Sequence, residues 1–145
     1  MEVRIKKLDE RARLPRSGSE YAAGADLFAL LDAPLTIGPG QTALLPTGLS
    51  AEIPEGYVGL VFARSSLGIK RGLAPANKVG VIDSDYRGEI RVGLHNHSGA
   101  PQVLEPFERV AQLMIVPFVH ADFTESEELS DTARGAGGFG STGRT

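Results

Sequence analysis

A chain of 145 residues with 15 Lys plus Arg, 18 Asp plus Glu and a net charge of -3 has room for one hydrophobic core. Its mild acidity argues against binding nucleic acid or anionic membrane by bulk charge. The absence of Cys excludes a disulfide framework, a thiolate metal site and a cysteine nucleophile. Eighteen Gly and nine Pro, 27 residues or about 19% against the roughly 12% of average usage, exclude a helix bundle, because these residues cost about 1 and 3 kcal/mol in helix interiors. Many short strands joined by turns accommodate them.

The elements bear this out in chain order. Met1-Glu2-Val3-Arg4 opens in alternating sequence rather than a signal peptide, and no apolar run approaches the roughly 18 residues of a membrane span; the expectation is a soluble, cytoplasmic protein. Val3-Arg4-Ile5-Lys6 alternates apolar and basic residues, as a strand with one wet face does. Turn chemistry at Gly38-Pro39-Gly40 and Pro54-Glu55-Gly56 precedes an apolar run of strand length, Tyr57 to Ala63. One short helix is predicted from Ser65 to Arg71, with a serine near its start and Gly72 beyond its end. After Arg87-Gly88, the strand Glu89 to Leu94 puts Ile90, Val92 and Leu94 on one face. Ser98-Gly99-Ala100-Pro101 turns the chain toward its longest apolar stretch, Arg109 to Val119. The pattern predicts an all-β, jelly-roll-like sandwich or barrel over residues 1–124. Acidic residues then lead into a Gly-rich tail, and residues 125–145 are expected to stay mobile until something binds them.

That tail contains a literal G-x-G-x-x-G at Gly135, Gly137 and Gly140. A dinucleotide fingerprint must follow a strand and open a helix, and here no helix follows. The P-loop spacing fails as well, since Ser141 stands where the lysine belongs. What survives is the physics both share: Gly-rich backbone converges N–H groups on phosphate oxygens, Arg134 offers a bidentate cation, and Phe139 a stacking face for a base. The bland alternative is a flexible linker. Arg64-Ser65-Ser66-Leu67-Gly68 sits where strand meets helix, so it reads either as an anion site or as ordinary serine N-capping. Asp83-Ser84-Asp85 starts like a calcium loop, but the fifth and twelfth positions are Arg87 and Leu94. It is then a β-turn, or the seat of a carboxylate, Asp83, that holds or deprotonates a water. His95, His97 and His120 lack the spacing of a metal set and are expected as polar surface positions.

Five ordered motifs spread over the chain resemble the homotrimeric dUTPase family: Ala23-Gly24-Ala25-Asp26-Leu27; Ala63-Arg64-Ser65-Ser66-Leu67-Gly68; Asn77 with Gly80 to Ile90; Arg109-Val110-Ala111-Gln112-Leu113; and Arg134 to Gly143. The resemblance implies hydrolysis of dUTP to dUMP and pyrophosphate by water attack on the α-phosphorus, limiting uracil incorporation into DNA and supplying dUMP for thymidylate synthesis. It implies that Asp83 activates the water and that Asn77 and the backbone of Gly80, Val81, Ile82 and Asp83 read uracil. Tyr86 would pack on the deoxyribose and exclude a ribose 2′-hydroxyl. Arg64, Ser65, Ser66 and Gln112 would contact phosphates. Arg134, Gly140, Ser141 and Thr142 would close over the nucleotide, with Phe139 on uracil. Asp26 would support the water and metal surroundings. Mg²⁺ would ride on the substrate phosphates with no direct protein ligand, and each active site would draw on three subunits, without nucleic acid or membrane partners. One departure is visible: the fourth motif usually opens with Gly and an acidic or small residue before its Arg, whereas here Pro106-Phe107-Glu108 precedes Arg109. Two rival classes are a dCTP deaminase of the same fold and a non-catalytic dUTP-binding module.

Overall fold

The computed structural model describes residues 1–138. Over these the chain folds as β1 (Arg4–Lys7), β2 (Arg16–Ser17), β3 (Ala25–Phe28), β4 (Leu35–Ile37), β5 (Thr42–Pro46), β6 (Leu49–Glu52), β7 (Tyr57–Phe62), α1 (Ser65–Arg71), β8 (Leu73–Pro75), β9 (Gly80–Ile82), β10 (Arg91–Asn96), β11 (Gln102–Leu104) and β12 (Arg109–Pro117). The largest sheet runs β2-β3-β12-β7-β9, a second runs β5-β10-β8, and β1-β6 and β11-β4 form two-stranded ladders. All pairings are antiparallel and most join strands far apart in sequence. This is a jelly-roll sandwich, and its ladders remain open rather than closing into a barrel.

The core forms where inward faces meet. Ile90, Val92 and Leu94 are buried as the alternation predicts, alongside Leu27, Ile37, Leu45, Leu104 and Val110. The predicted strand at Glu89 starts two residues later, at Arg91. The reason is tertiary: the Ile90 N–H donates to Leu49 O at 2.7 Å, and its carbonyl accepts the Thr47 hydroxyl at 2.6 Å, so its backbone is spent on the start of β6 and the turn before it rather than on the β10 ladder. The apolar run expected to continue to Val119 stops being strand at Pro117, after which Phe118 and Val119 are exposed. Inside the core, the fully buried Asn96 is satisfied on both sides of its amide. It donates to the carbonyls of Ile37 and Ala100 at 2.9 and 2.8 Å and accepts from the Ser98 N–H and hydroxyl, which is how a polar side chain survives burial.

Helix α1 has its predicted bounds but a different cap. Arg64 is the N-cap residue, with extended backbone and no side-chain capping bond, so neither serine is engaged in capping. Gly72 ends the helix at φ +66°, and a Cβ there would lie 2.9 Å from that of Ser98. Glycine is needed for both reasons.

The departure in the fourth motif also has a structural form. The Glu108 N–H donates to Glu105 O across a turn whose third residue, Phe107, sits at φ +60°. Pro106 occupies the second position, so the sequence has the chemistry of a type II turn except that Phe stands where Gly belongs. The Phe107 ring carries the Arg13 guanidinium 4.5 Å from its centroid, a cation–π contact that offsets part of the strain. Phe107→Gly and Phe107→Ala both delete the ring, but only Ala keeps a Cβ at positive φ. The glycine variant is therefore expected to be more stable than the alanine variant by about 1 kcal/mol, measured by urea unfolding. Equal midpoints would show that the backbone is not strained.

Candidate functional site

Two groups of polar side chains are assembled on different parts of the fold. The first is a cavity of about 280 Å³ whose walls include Asn77, Gly80, Val81, Ile82, Asp83 and Tyr86, near the lower end of ordinary ligand pockets. Strand β9 supplies its floor. Gly80 pairs with Val61 of β7, and a Cβ on it would lie 3.2 Å from the Val61 Cβ and 3.5 Å from Asn77 Nδ2, so a larger residue would push into the pocket. The chain then turns, with the Tyr86 N–H donating to Asp83 O at 3.1 Å and Arg87 Nη1 donating to the carbonyls of Ser84 and Tyr86. Asp83 is exposed, and its carboxylate has no hydrogen-bond or ion-pair partner among the described residues.

The Tyr86 ring is held at two points. Its hydroxyl donates to Glu89 O at 3.0 Å, and the ring passes so close to Gly88 that a Cβ there would lie 2.3 Å from the phenolic oxygen. The segment behind it is fastened to the β5–β6 turn and to β6. Gly48 N–H donates to Glu89 Oε1 at 2.9 Å, and Ser50 Oγ donates to Arg87 O at 2.7 Å. Gly88→Ala is thus expected to swing the tyrosine off Glu89 while leaving the core intact. A loss of nucleotide affinity of about tenfold, with unfolding shifted by less than about 1 kcal/mol, is the expected outcome. Unchanged affinity in a binding titration would show that the ring position is immaterial.

The second group surrounds Asp26 on β3. Arg64 Nε donates to Asp26 Oδ1 at 2.8 Å and Arg109 Nη1 to Oδ2 at 3.1 Å. The same Arg64 reaches Ser66 Oγ at 3.2 Å and the Arg109 carbonyl at 3.4 Å. Gln112 lies opposite Asp26 in the β3–β12 ladder, and its side chain folds over Gly24, where a Cβ would come within 2.9 Å of Oε1. The glycine of the first motif therefore makes room for the glutamine of the fourth. Ser65 is exposed at the start of α1. Arginine forks presented beside serine hydroxyls suit phosphate oxygens.

None of Asp26, Arg64, Ser65, Ser66 and Gln112 lines the first cavity. Arg134 joins neither group. It lies in an exposed turn where its Nε donates to Gly137 O at 2.9 Å and the Gly135 N–H donates to Thr132 O at 3.0 Å. Phe139, Gly140, Ser141 and Thr142 lie outside the described residues. His95, in β10, and His97, just past its end, have ring centroids 4.4 Å apart, and Thr42 Oγ1 lies 2.8 Å from His95 Nδ1. Local desolvation, then Lys78 and His95, hold the His97 imidazole below its ordinary range. Among the described residues no three His, Asp or Glu side chains gather as a metal set. Sequence reasoning missed Arg109 as the second holder of Asp26. It also missed Glu89 and Ser50 as anchors of the tyrosine segment. Arg109 was visible as the first residue of the fourth motif, whereas Glu89 and Ser50 carry no signal without the fold.

A jelly roll with such a pocket and a separate arginine–serine corner has the chemical groups that a nucleotide phosphohydrolase uses. The sequence model of the dUTPase family matches residues 10–143. The deoxyuridine 5'-triphosphate nucleotidohydrolase of Burkholderia thailandensis is 50% identical over 99% of both chains, and that of Burkholderia mallei 49% identical over the same share. Among solved structures, the dUTPase of Staphylococcus bacteriophage 80alpha with dUpNHpp superposes with a TM-score of 0.89 at 29% identity, covering 99% of each chain. A variant dUTPase from phage phi11 of S. aureus, described for its coordination of a structural Mg(II) ion, gives 0.78 at 25% identity over 88% of this chain and 98% of that one. The chain belongs to the dUTPase family. No helix in the described residues is long and apolar enough to cross a membrane.

Proposed function

We propose that the first cavity takes the uracil and deoxyribose of dUTP and that the Asp26 corner takes its phosphates. The chain hydrolyses dUTP to dUMP and pyrophosphate, which keeps uracil out of DNA and supplies dUMP for thymidylate synthesis. The observation that carries the assignment of roles is the cavity itself: one 280 Å³ space gathers Asn77, Gly80, Val81, Ile82, Asp83 and Tyr86. Asn77 and the β9 backbone read the pyrimidine edge. Tyr86, pinned over Gly88, packs on the sugar and leaves no room for a 2′-hydroxyl. Asp83, exposed and unpartnered among the described residues, orients a water and accepts its proton as the water attacks the α-phosphorus. Arg64, Ser65, Ser66 and Gln112 hold the phosphates, and Asp26 fixes Arg64. Such a reaction depends on alignment and charge neutralisation more than on covalent chemistry.

Magnesium fits this site as a passenger of the substrate. It favours oxygen donors and keeps several waters, which the triphosphate supplies, while both oxygens of Asp26 are engaged by arginines. When bound it would neutralise phosphate charge. Residues 1–124 form the catalytic domain and 125–145 a tail. Its Arg134, Phe139, Gly140, Ser141 and Thr142 close over the nucleotide and exclude bulk water. The active sites are shared within a homotrimer. Support comes from the separate linings of the two half-sites in one chain and from the exposed Val119, Phe123 and Leu129 after β12, apolar residues suited to a neighbouring subunit. A cytoplasmic location and freedom from nucleic acid and membrane partners complete the reading.

The test is pyrophosphate release with Mg²⁺ and, separately, dUTP, dTTP, dCTP and UTP, with the nucleotide products identified. Release from dUTP alone, yielding dUMP, is the expected result. Deaminated product from dCTP, or binding of dUTP without turnover by folded protein, would overturn it.

A further inference from the structure

We infer that Arg16, which lies outside the five motifs, joins Arg109 of the fourth in an additional subsite for a pyrophosphate-type anion, at the β2 edge of the phosphate-binding face. The inference rests on the reading of Arg64 and Gln112 as phosphate ligands. The largest sheet lines up its residues across strands. Arg16 of β2 pairs with Asp26 of β3, and Asp26 pairs with Gln112 of β12. Directly opposite residues share a face, so this row carries polar groups from Gln112 outward to the sheet edge. Adjacent strands lie about 4.8 Å apart, and the row from Gln112 to Arg16 spans roughly 10 Å. One step along the same face, Phe28 pairs with Arg109. Between them lies a cavity of about 310 Å³ lined by Arg16, Ser17, Gly18, Asp26, Phe28 and Arg109.

Charge decides what this cavity takes. A carboxylate directly across a ladder is the natural partner of an arginine, yet Arg16 makes no ion pair among the described residues. Asp26 already has one oxygen on Arg64 and the other on Arg109. Arg13 stands over the Phe28 ring at 5.7 Å, and Glu108, the acidic neighbour of Arg109, is engaged by Arg71. Two guanidiniums thus hold one carboxylate and Arg16 stands across the ladder from it, a local excess of positive charge in a chain of net charge -3. The Arg109 side chain is 53% exposed with one Nη on Asp26, which leaves the rest of its fork to a ligand. Two arginine forks on one cavity match the paired, multiply charged oxygens of a diphosphate. A neutral or cationic ligand would gain nothing there. The anion is either the β,γ end of the bound substrate or the pyrophosphate it releases, since both present the same chemistry.

Calorimetric titration of sodium pyrophosphate into the full chain tests this without turnover. Arg16→Ala is expected to weaken binding about tenfold, and Arg16→Lys, which keeps the charge but loses the fork, to fall between it and the wild type. Arg4→Ala removes an exposed arginine on another ladder, paired with Glu52, and controls for bulk charge; its binding is expected to equal wild type. Arg16 is exposed on a two-residue edge strand, so its loss spares the core; Ser17→Glu, which adds a carboxylate to a residue of the cavity wall, is a second probe expected to weaken binding. A parallel rise in KM for dUTP assigns the subsite to the substrate's terminal phosphates, whereas weaker pyrophosphate inhibition at constant KM assigns it to the product. Pyrophosphate binding by Arg16→Ala within twofold of wild type overturns the inference. Arg16-dependent binding in a wild-type chain that leaves dUTP intact overturns the functional reading instead and keeps the subsite.

Discussion

Replacing Asp83 by Asn is expected to lower kcat on dUTP about 10³-fold while leaving dUTP affinity within a few-fold of wild type. The amide is nearly isosteric and can still orient a water, but it cannot take the proton that the water loses as it attacks phosphorus. General-base removal costs about 10²–10⁴ in rate, and 10³ corresponds to about 4 kcal/mol of barrier. The fold gives no reason for a larger disturbance. Asp83 contributes its backbone carbonyl to the turn with Tyr86, which Asn preserves, and its side chain has no partner among the described residues to lose. Single-turnover kinetics beside binding of a non-hydrolysable dUTP analogue separates the two effects. Wild-type turnover in this variant would remove Asp83 from the chemistry. Equal losses in affinity and rate would make it a binding residue instead.

The pocket around Asp83 was legible in the sequence because its parts are close together along the chain. Residues 77–86 form one strand and its flanking turns, so naming the segment almost places the cavity. The alternating strand β10, the long apolar runs of β7 and β12 and the helix between its serine and Gly72 were legible for a similar reason: each carries its signal within one stretch of chain. Strands β2, β4, β8, β9 and β11 have two or three residues, too few for a period to declare itself. Tertiary hydrogen bonds defeated the boundaries at Ile90, which turns to Leu49 and Thr47, and at the helix start, where Arg64 displaces the serines from the cap. The left-handed Phe107 was visible only as a missing glycine; that the chain keeps the turn and bears the strain required coordinates. The Asp26 clamp was least legible of all. Its members are 38 and 83 residues apart in sequence, and no local pattern says that one carboxylate will hold two arginines.

That clamp supports the second large effect, on stability and phosphate binding together. Asp26→Ala is expected to destabilise the protein by about 3 kcal/mol and to raise KM for dUTP at least tenfold. The side chains of Asp26 and Arg64 are only 11% and 18% exposed, and removing one member of such a pair leaves a largely desolvated charge without a partner, which typically costs about 3–5 kcal/mol. Arg109 is half in solvent, so its share is screened and amounts to about 0–1 kcal/mol. Without the carboxylate, the two guanidiniums repel each other across the gap, and Arg64 loses the contact that aims it beside Ser66. Asp26→Asn should recover little, because its amide nitrogen presents a donor to a donor. A double-mutant cycle makes the asymmetry measurable at fixed protein concentration. Coupling between Asp26 and Arg64 should reach about 2 kcal/mol, and that between Asp26 and Arg109 should stay below about 1. Coupling near zero for Asp26 and Arg64 would mean that the arginine is positioned by the backbone of its own cap, and the rise in KM would then have to come from elsewhere in the site.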